Sequence, residues 1–205
     1  MDSTGTAIAF SRIFLAAFYT FVAAFYVVSI TVKKRSQHTE VIFPGQRFCA
    51  TWWNHILFRV FRIAIWMVCV WRFFLPQTEH YLGMFSSLYH APVVITGMIL
   101  LSVGFVGTMS IHLLLGDRWR SGIDPYQPEG LMTQGVYGLS RNPMFVGVAM
   151  AQLGFFLALP SMFSLVCLLV GQVTLHRQVK SEEAHLSARF PQDYALYRRN
   201  VRRWL

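Results

Sequence analysis

Carboxylates are scarce in this chain: nine Asp and Glu stand against 18 Lys and Arg, leaving a formal net charge of +9. Such a balance can mark a nucleic-acid binder, but the basic residues cluster beside apolar segments rather than on a polar face with interleaved aromatics, which excludes that class. Paired cysteines are also lacking. Cys49, Cys69 and Cys167 are isolated, so neither a disulfide framework nor a zinc site is expected, and no metal is implied. There is no glycine-rich strand-turn-helix motif of the kind that opens a Rossmann domain. Internal repeats and low-complexity tracts are absent as well. The N-terminus lacks the basic region of a cleavable signal peptide, so the first apolar stretch is expected to stay in the protein.

What is present is hydrophobic. Of 205 residues, 55% are hydrophobic and only 13% charged, too apolar for an ordinary soluble domain. The expectation is a single membrane domain over 1–205, with two N-terminal spans in 1–90 and a catalytic region in 91–205. Apolar segments lie near 7–32, 53–75, 91–115, 143–159 and 161–176, and about 20 helical residues cross a bilayer. The fold class expected is therefore all-α and polytopic, with five transmembrane helices. The last two form a C-terminal helical hairpin, because Pro160 stops one helix and Ser161 can cap the next.

Orientation follows from the basic residues. Lys33, Lys34, Arg35 and Arg47 follow the first segment, Arg118, Arg120 and Arg141 the third, and Arg177 through Arg203 the fifth, while the stretches at 76–90 and Pro160 carry no Lys or Arg. By the positive-inside rule the N-terminus is outside and the C-terminal segment cytosolic. Arg59 and Arg62 share one face of the second segment, where snorkelling to the interface competes with a place inside a cavity. Gly97, Gly104 and Gly107 form a small-residue stripe that would let helices approach closely.

Charge at a membrane edge is costly and is usually retained for function. Here the candidates are Gly135, Tyr137, Arg141, Asn142 and Pro143, then Glu182 and Glu183, and then Arg189 with Tyr194 and Tyr197. Pro143 suits a first helical turn, which makes Asn142 its N-cap, with free amides behind it for a polar or anionic ligand group. A plain capped transmembrane helix explains this segment equally well. One helix is expected from Ser161 to about Arg189, with His176, Lys180 and Glu183 on one face and Glu182 turned about 100° from Glu183. Glu183 and Arg189 could hold a cationic and an anionic ligand side by side. A solvated amphipathic helix is the alternative.

Taken in order, Leu115-Gly116, Trp119-Arg120, Gly135-x-Tyr137, Arg141-Asn142-Pro143-Met144-Phe145-x-Gly147, Glu182-Glu183-x-x-Leu186 and Arg189-Phe190 with Tyr194, Tyr197 and Val201 make a specific pattern. From about Gly97 to Leu205 the chain resembles the isoprenylcysteine carboxyl methyltransferase and phospholipid methyltransferase superfamily of integral membrane enzymes. The resemblance implies S-adenosylmethionine as cofactor, held on the cytosolic side by Gly135 to Pro143 and by Glu182 and Glu183. It implies Arg189 and Glu183 as catalytic residues, and Arg189 with Arg120 as substrate-binding residues. The acceptor is a lipid or lipidated or hydrophobic small molecule, with a prenylcysteine-type carboxylate favoured over a phospholipid amine or a small thiol.

A sulfonium methyl is already activated, so catalysis mainly needs alignment and exclusion of water. A carboxylate acceptor would need only a positioning cation, whereas an amine or thiol must first lose a proton, for which His112 and His176 are the nearby bases. Two departures keep the acceptor open. Asn142 stands where prenylcysteine enzymes carry histidine, and the Gly-x-Gly of phospholipid methyltransferases is replaced by Gly104 and Gly107, three apart. Two rival readings remain. His176-Arg177 with Glu182 echoes NADPH-dependent sterol reductases, and the basic stretch from Arg198 to Arg203 would suit a non-catalytic scaffold beside anionic headgroups.

Overall fold

The computed structural model describes residues 3–37, 42–116, 121–122 and 130–205, and it is all-α, 81% helical. Six helices follow in order: α1 Ser3–Gln37, α2 Ala50–Phe74, α3 Ala91–Leu115, α4 Pro143–Ala158, α5 Met162–Arg189 and α6 Pro191–Asn200. Short 3-10 turns cover Pro76–Leu82 and Gly135–Gly138, and two-residue strands β1 Ile42–Phe43 and β2 Ser121–Gly122 pair in parallel.

Helix boundaries follow local chemistry. Proline occupies the first turn of α3, α4 and α6, where its missing N–H costs nothing. At α5 the Ser161 hydroxyl accepts from Ser164 N at 3.2 Å while Ser161 N donates to Ser164 Oγ at 3.1 Å, a capping box with serine in the usual Glu or Gln place. The helix then runs unbroken to Arg189, as expected. Asn142 does occupy the N-cap position of α4, but its side chain makes no capping bond; its amide is used elsewhere.

Among the described residues, three helices are long and apolar enough to cross a membrane: Ser3–Val32, Ala91–Leu115 and Met162–Arg189. The other two expected spans, α2 and α4, are not among them. α4 has only 16 residues, and α2 carries Arg59, Arg62 and Arg72 within its 25. Bulky apolar side chains such as Phe10, Phe21, Val28, Ile99, Val106 and Leu169 are exposed on the outside of the bundle. Exposed apolar side chains in such number suit lipid rather than water.

The tightest packing joins α3 to α4. A Cβ on Gly97 would overlap the backbone of Ala158, one on Gly104 would meet Ala151 N at 2.5 Å, and one on Gly154 would overlap Leu101 N. Gly107, expected in the same stripe, has nothing within 4 Å. The contact therefore uses Gly97 and Gly104 with glycines from the facing helix. Around this pair lies the core of Leu15, Cys69, Val94, Met98, Leu101, Phe155 and Leu159.

Both connections poor in basic residues meet at one end of the bundle. Phe85 N donates to Pro160 O at 2.9 Å and Met162 N to Gly83 O at 2.8 Å, while Gly83 takes a left-handed φ of 67°. Beside them lies a polar knot. Glu79 Oε1 accepts from Arg12 Nε at 2.6 Å and Arg72 Nη2 at 2.8 Å, and Glu79 Oε2 accepts from the Tyr89 hydroxyl at 3.0 Å. Arg72 is 1% exposed, so its charge has to be met inside the protein. One carboxylate thus ties α1, α2 and the 3-10 turn together.

Candidate cofactor and acceptor site

A cavity of about 970 Å³ extends between the helices. Its polar wall comes from the C-terminal half: Tyr137, Arg141, Asn142, Gln178, Glu182 and Glu183 line it, with Tyr194 and Tyr197 of α6. Apolar groups form much of the rest, among them Phe18, Val22, Ile65, Phe105, Met144 and Phe155. Among the candidate residues, Tyr137, Arg141, Asn142, Pro143, Glu182 and Glu183 are brought together on this wall. Gly135 is exposed in a left-handed turn at φ 62° and does not line the cavity. Arg120 lies outside the described residues.

Glu183 is the centre of the wall's own bonding. Its Oε1 accepts from Asn142 Nδ2 at 3.0 Å and faces Arg141 Nη2 at 3.5 Å, while its Oε2 accepts from Arg203 Nη2 at 2.8 Å. Asn142 Nδ2 also donates to Arg203 O at 3.2 Å. This explains the missing cap at α4: the amide bonds two groups that bring the chain terminus onto α5. Backbone bonds complete the closure, with Arg141 N donating to Arg202 O at 2.9 Å and the Ser140 hydroxyl to Arg203 O at 3.2 Å.

Two groups on the wall keep unused capacity. Arg141 is nearly buried, with a side-chain exposure of 7%, yet its Nε and Nη1 have no hydrogen-bond partner, and the buried Tyr194 hydroxyl has none either. The Arg141 guanidinium lies 6.0 Å from the Tyr194 ring centre, close enough for a cation–π contact. Glu182 receives one bond, from Gln178 Nε2 at 2.9 Å, and faces the cavity. Burial, and then the Glu182 charge, push the Tyr137 phenol up to about 12. Burial likewise lifts Tyr197 to about 12. Both therefore stay neutral, and Tyr197 donates to Tyr137 O at 2.6 Å.

The remaining candidates fall elsewhere. Arg189, at the last turn of α5, is exposed and does not line the cavity. His176 and Arg177 are exposed too, and His176 lies beside Trp204, with ring centres 6.5 Å apart. His112 is buried against Phe25 and Tyr26. Instead of His112 and His176, the histidines on the cavity are His55 and His185. Arg203 was legible only as part of a basic tail, and nothing in its spacing links it to Glu183.

A pair of unused guanidinium donors beside a carboxylate fits a zwitterionic ligand: the donors match a carboxylate group, and Glu182 matches an ammonium or sugar hydroxyls. The amino-acid end of S-adenosylmethionine has both features. The phospholipid methyltransferase family model matches residues 92–193. No curated protein and no solved structure gives a significant match. The matched segment contains all but the first residue of α3, then α4, α5 and the first residues of α6, and so most of the cavity's polar wall. Through residues 92–193 the chain belongs to the phospholipid methyltransferase family.

Proposed function

We propose that the protein is an S-adenosylmethionine-dependent methyltransferase acting on a membrane-associated amphiphile. The reading is carried by Arg141, which has two buried donors without a partner and lines the same cavity as Glu182. In it the chain is one membrane domain of five spans, α1 to α5, with the N-terminus outside and the cavity's polar wall cytosolic. Short α4 crosses packed against α3 and joined to α5, and of the arginines of α2, Arg59 and Arg62 line the cavity while Arg72 is held by Glu79.

S-adenosylmethionine would supply a methyl group activated by its sulfonium. Arg141 would hold the carboxylate of the cofactor and Glu182 its ammonium or ribose hydroxyls, while neutral Tyr137 and Tyr194 close around them. Glu183 acts indirectly in this reading: it fixes Arg141, Asn142 and Arg203, and so holds the wall in place before the cofactor arrives. The acceptor enters along the apolar side, where Phe18, Val22 and Ile65 exclude water. A carboxylate acceptor held by Arg189 is less favoured than one held inside the cavity, because Arg189 does not line it.

The test is transfer of a labelled methyl group by the purified full chain in lipid nanodiscs. Total membrane lipids, prenylcysteine analogues and small thiols are offered in parallel, with calorimetric titration of S-adenosylmethionine and NADPH. Saturable S-adenosylmethionine binding and a labelled amphiphile support the reading. NADPH binding without S-adenosylmethionine binding overturns it.

A further inference from the structure

The cavity has a second charged region, on α2 and outside the segment that the family model covers. His55, Arg59 and Arg62 all line it, and residues 50–74 precede the matched range of 92–193. Arg62 lies against Tyr26 of α1, its guanidinium carbon 5.5 Å from the ring centre. Among the described residues no carboxylate pairs with Arg59 or Arg62. This contrasts with Arg12, Arg72, Arg141 and Arg203, each of which meets Glu79 or Glu183.

Two guanidiniums three residues apart on one helix face repel each other. Both side chains are exposed rather than sealed in the packing, and the cation–π contact of Arg62 offsets only part of the repulsion. Here they line the same cavity as Glu182 and Arg141. An oxyanion bound between them removes the repulsion and uses the planar donors of each guanidinium.

We propose that His55, Arg59 and Arg62 form an oxyanion-binding site that receives the phosphate or carboxylate of the amphiphilic methyl acceptor. That the bound amphiphile is the methyl acceptor rests on the methyltransferase reading; oxyanion binding itself does not. The acyl or prenyl chain lies along Phe18 and Ile65, which line the same cavity. Acceptor choice would then be set largely by the N-terminal half of the chain, while the family-matched half holds the methyl donor.

The experiment uses the full chain in a neutral detergent and reads binding by tryptophan fluorescence and calorimetry. The probes are dihexanoyl phosphatidylethanolamine, S-farnesylcysteine, uncharged dihexanoylglycerol and inorganic phosphate. The wild type is compared with Arg59→Gln/Arg62→Gln and with Arg59→Lys/Arg62→Lys, after thermal melting has shown that each is folded. At least a tenfold weakening of one oxyanion amphiphile in the Gln pair, with substantial recovery in the Lys pair and unchanged dihexanoylglycerol binding, supports the site. Which amphiphile responds tells phosphate from carboxylate. Unchanged affinity for both overturns the proposal, as does equal loss of dihexanoylglycerol or binding of inorganic phosphate alone. S-adenosylmethionine is titrated into the same preparations. Failure of the wild type to bind it overturns the methyltransferase reading and leaves the oxyanion result standing.

Discussion

Arg203 Nη2 lies 2.8 Å from Glu183 Oε2, although twenty residues and the whole of α6 separate them in the chain. Their bond turns the last residues back onto α5, and the Arg203 carbonyl then accepts from both Ser140 and Asn142. Closure of the cavity's polar wall therefore depends on a residue beyond the last helix. Arg203→Ala should lower stability by about 1–3 kcal/mol, since a partly exposed partner is removed and Glu183 keeps Arg141 and Asn142. Glu183→Ala should cost more, roughly 3–5 kcal/mol, because it strands the buried Arg141. Thermal melting of the purified variants would show this ranking; equal effects would mean that Arg141 does not depend on Glu183, and no effect of Arg203→Ala would mean that the tail closes independently of the ion pair.

Arg141 and Glu182 should separate from that pair. Arg141→Met and Glu182→Gln are expected to weaken S-adenosylmethionine binding roughly ten- to hundred-fold, the loss of one charge-assisted contact each. Stability should change by less than about 1 kcal/mol in Glu182→Gln, which keeps the Gln178 side chain in contact with an amide. Calorimetry and melting on the same samples test both. A variant that melts early and binds normally would assign its residue to the scaffold instead.

At the α3–α4 contact, Gly97→Ala and Gly154→Ala should each destabilise by about 1–3 kcal/mol, because the added methyl meets backbone that has no rotamer to yield. Gly107→Ala should be neutral or slightly stabilising, since its Cβ points into open space. Comparative detergent-resistance melts of the three variants suffice. A destabilised Gly107→Ala would place that glycine against a partner.

The Glu79 knot should respond to acid. Burial alone would push the Glu79 carboxyl up, but the Arg12 hydrogen bond together with the charges of Arg72 and Arg12 outweighs burial and holds it below its ordinary value of 4.5. A depressed carboxylate contributes stability that is fully present above the unfolded value and is lost as pH falls through the folded one. The melting difference between wild type and Glu79→Gln should thus be constant near neutral pH and shrink below about pH 4.5. A difference that grows with acidification would reverse the assignment.

Much of the helical framework was readable residue by residue. Proline at 143, serine at 161 and the unbroken run to Arg189 act within a few positions of themselves, so α4 and α5 begin and end close to where their sequence places them. The small-residue stripe was only partly readable, because the rotation of α3 against α4 decides that Gly104 is covered and Gly107 is not. Asn142 shows the same limit. Its position at the helix start is local, but its amide bonds Glu183, 41 residues away.

Run lengths, caps and motif order are properties of neighbouring residues, so an apolar, helical chain and the ordered motifs that resemble a membrane methyltransferase family can be read from the sequence. Which charges meet is set by packing. Glu183 is engaged by Arg203, Asn142 and Arg141, Arg189 is left on the surface, and Arg59 and Arg62 line the cavity. The reason is geometric: pairing across 20 to 60 residues depends on how helices cross and rotate, and on which few carboxylates are within reach.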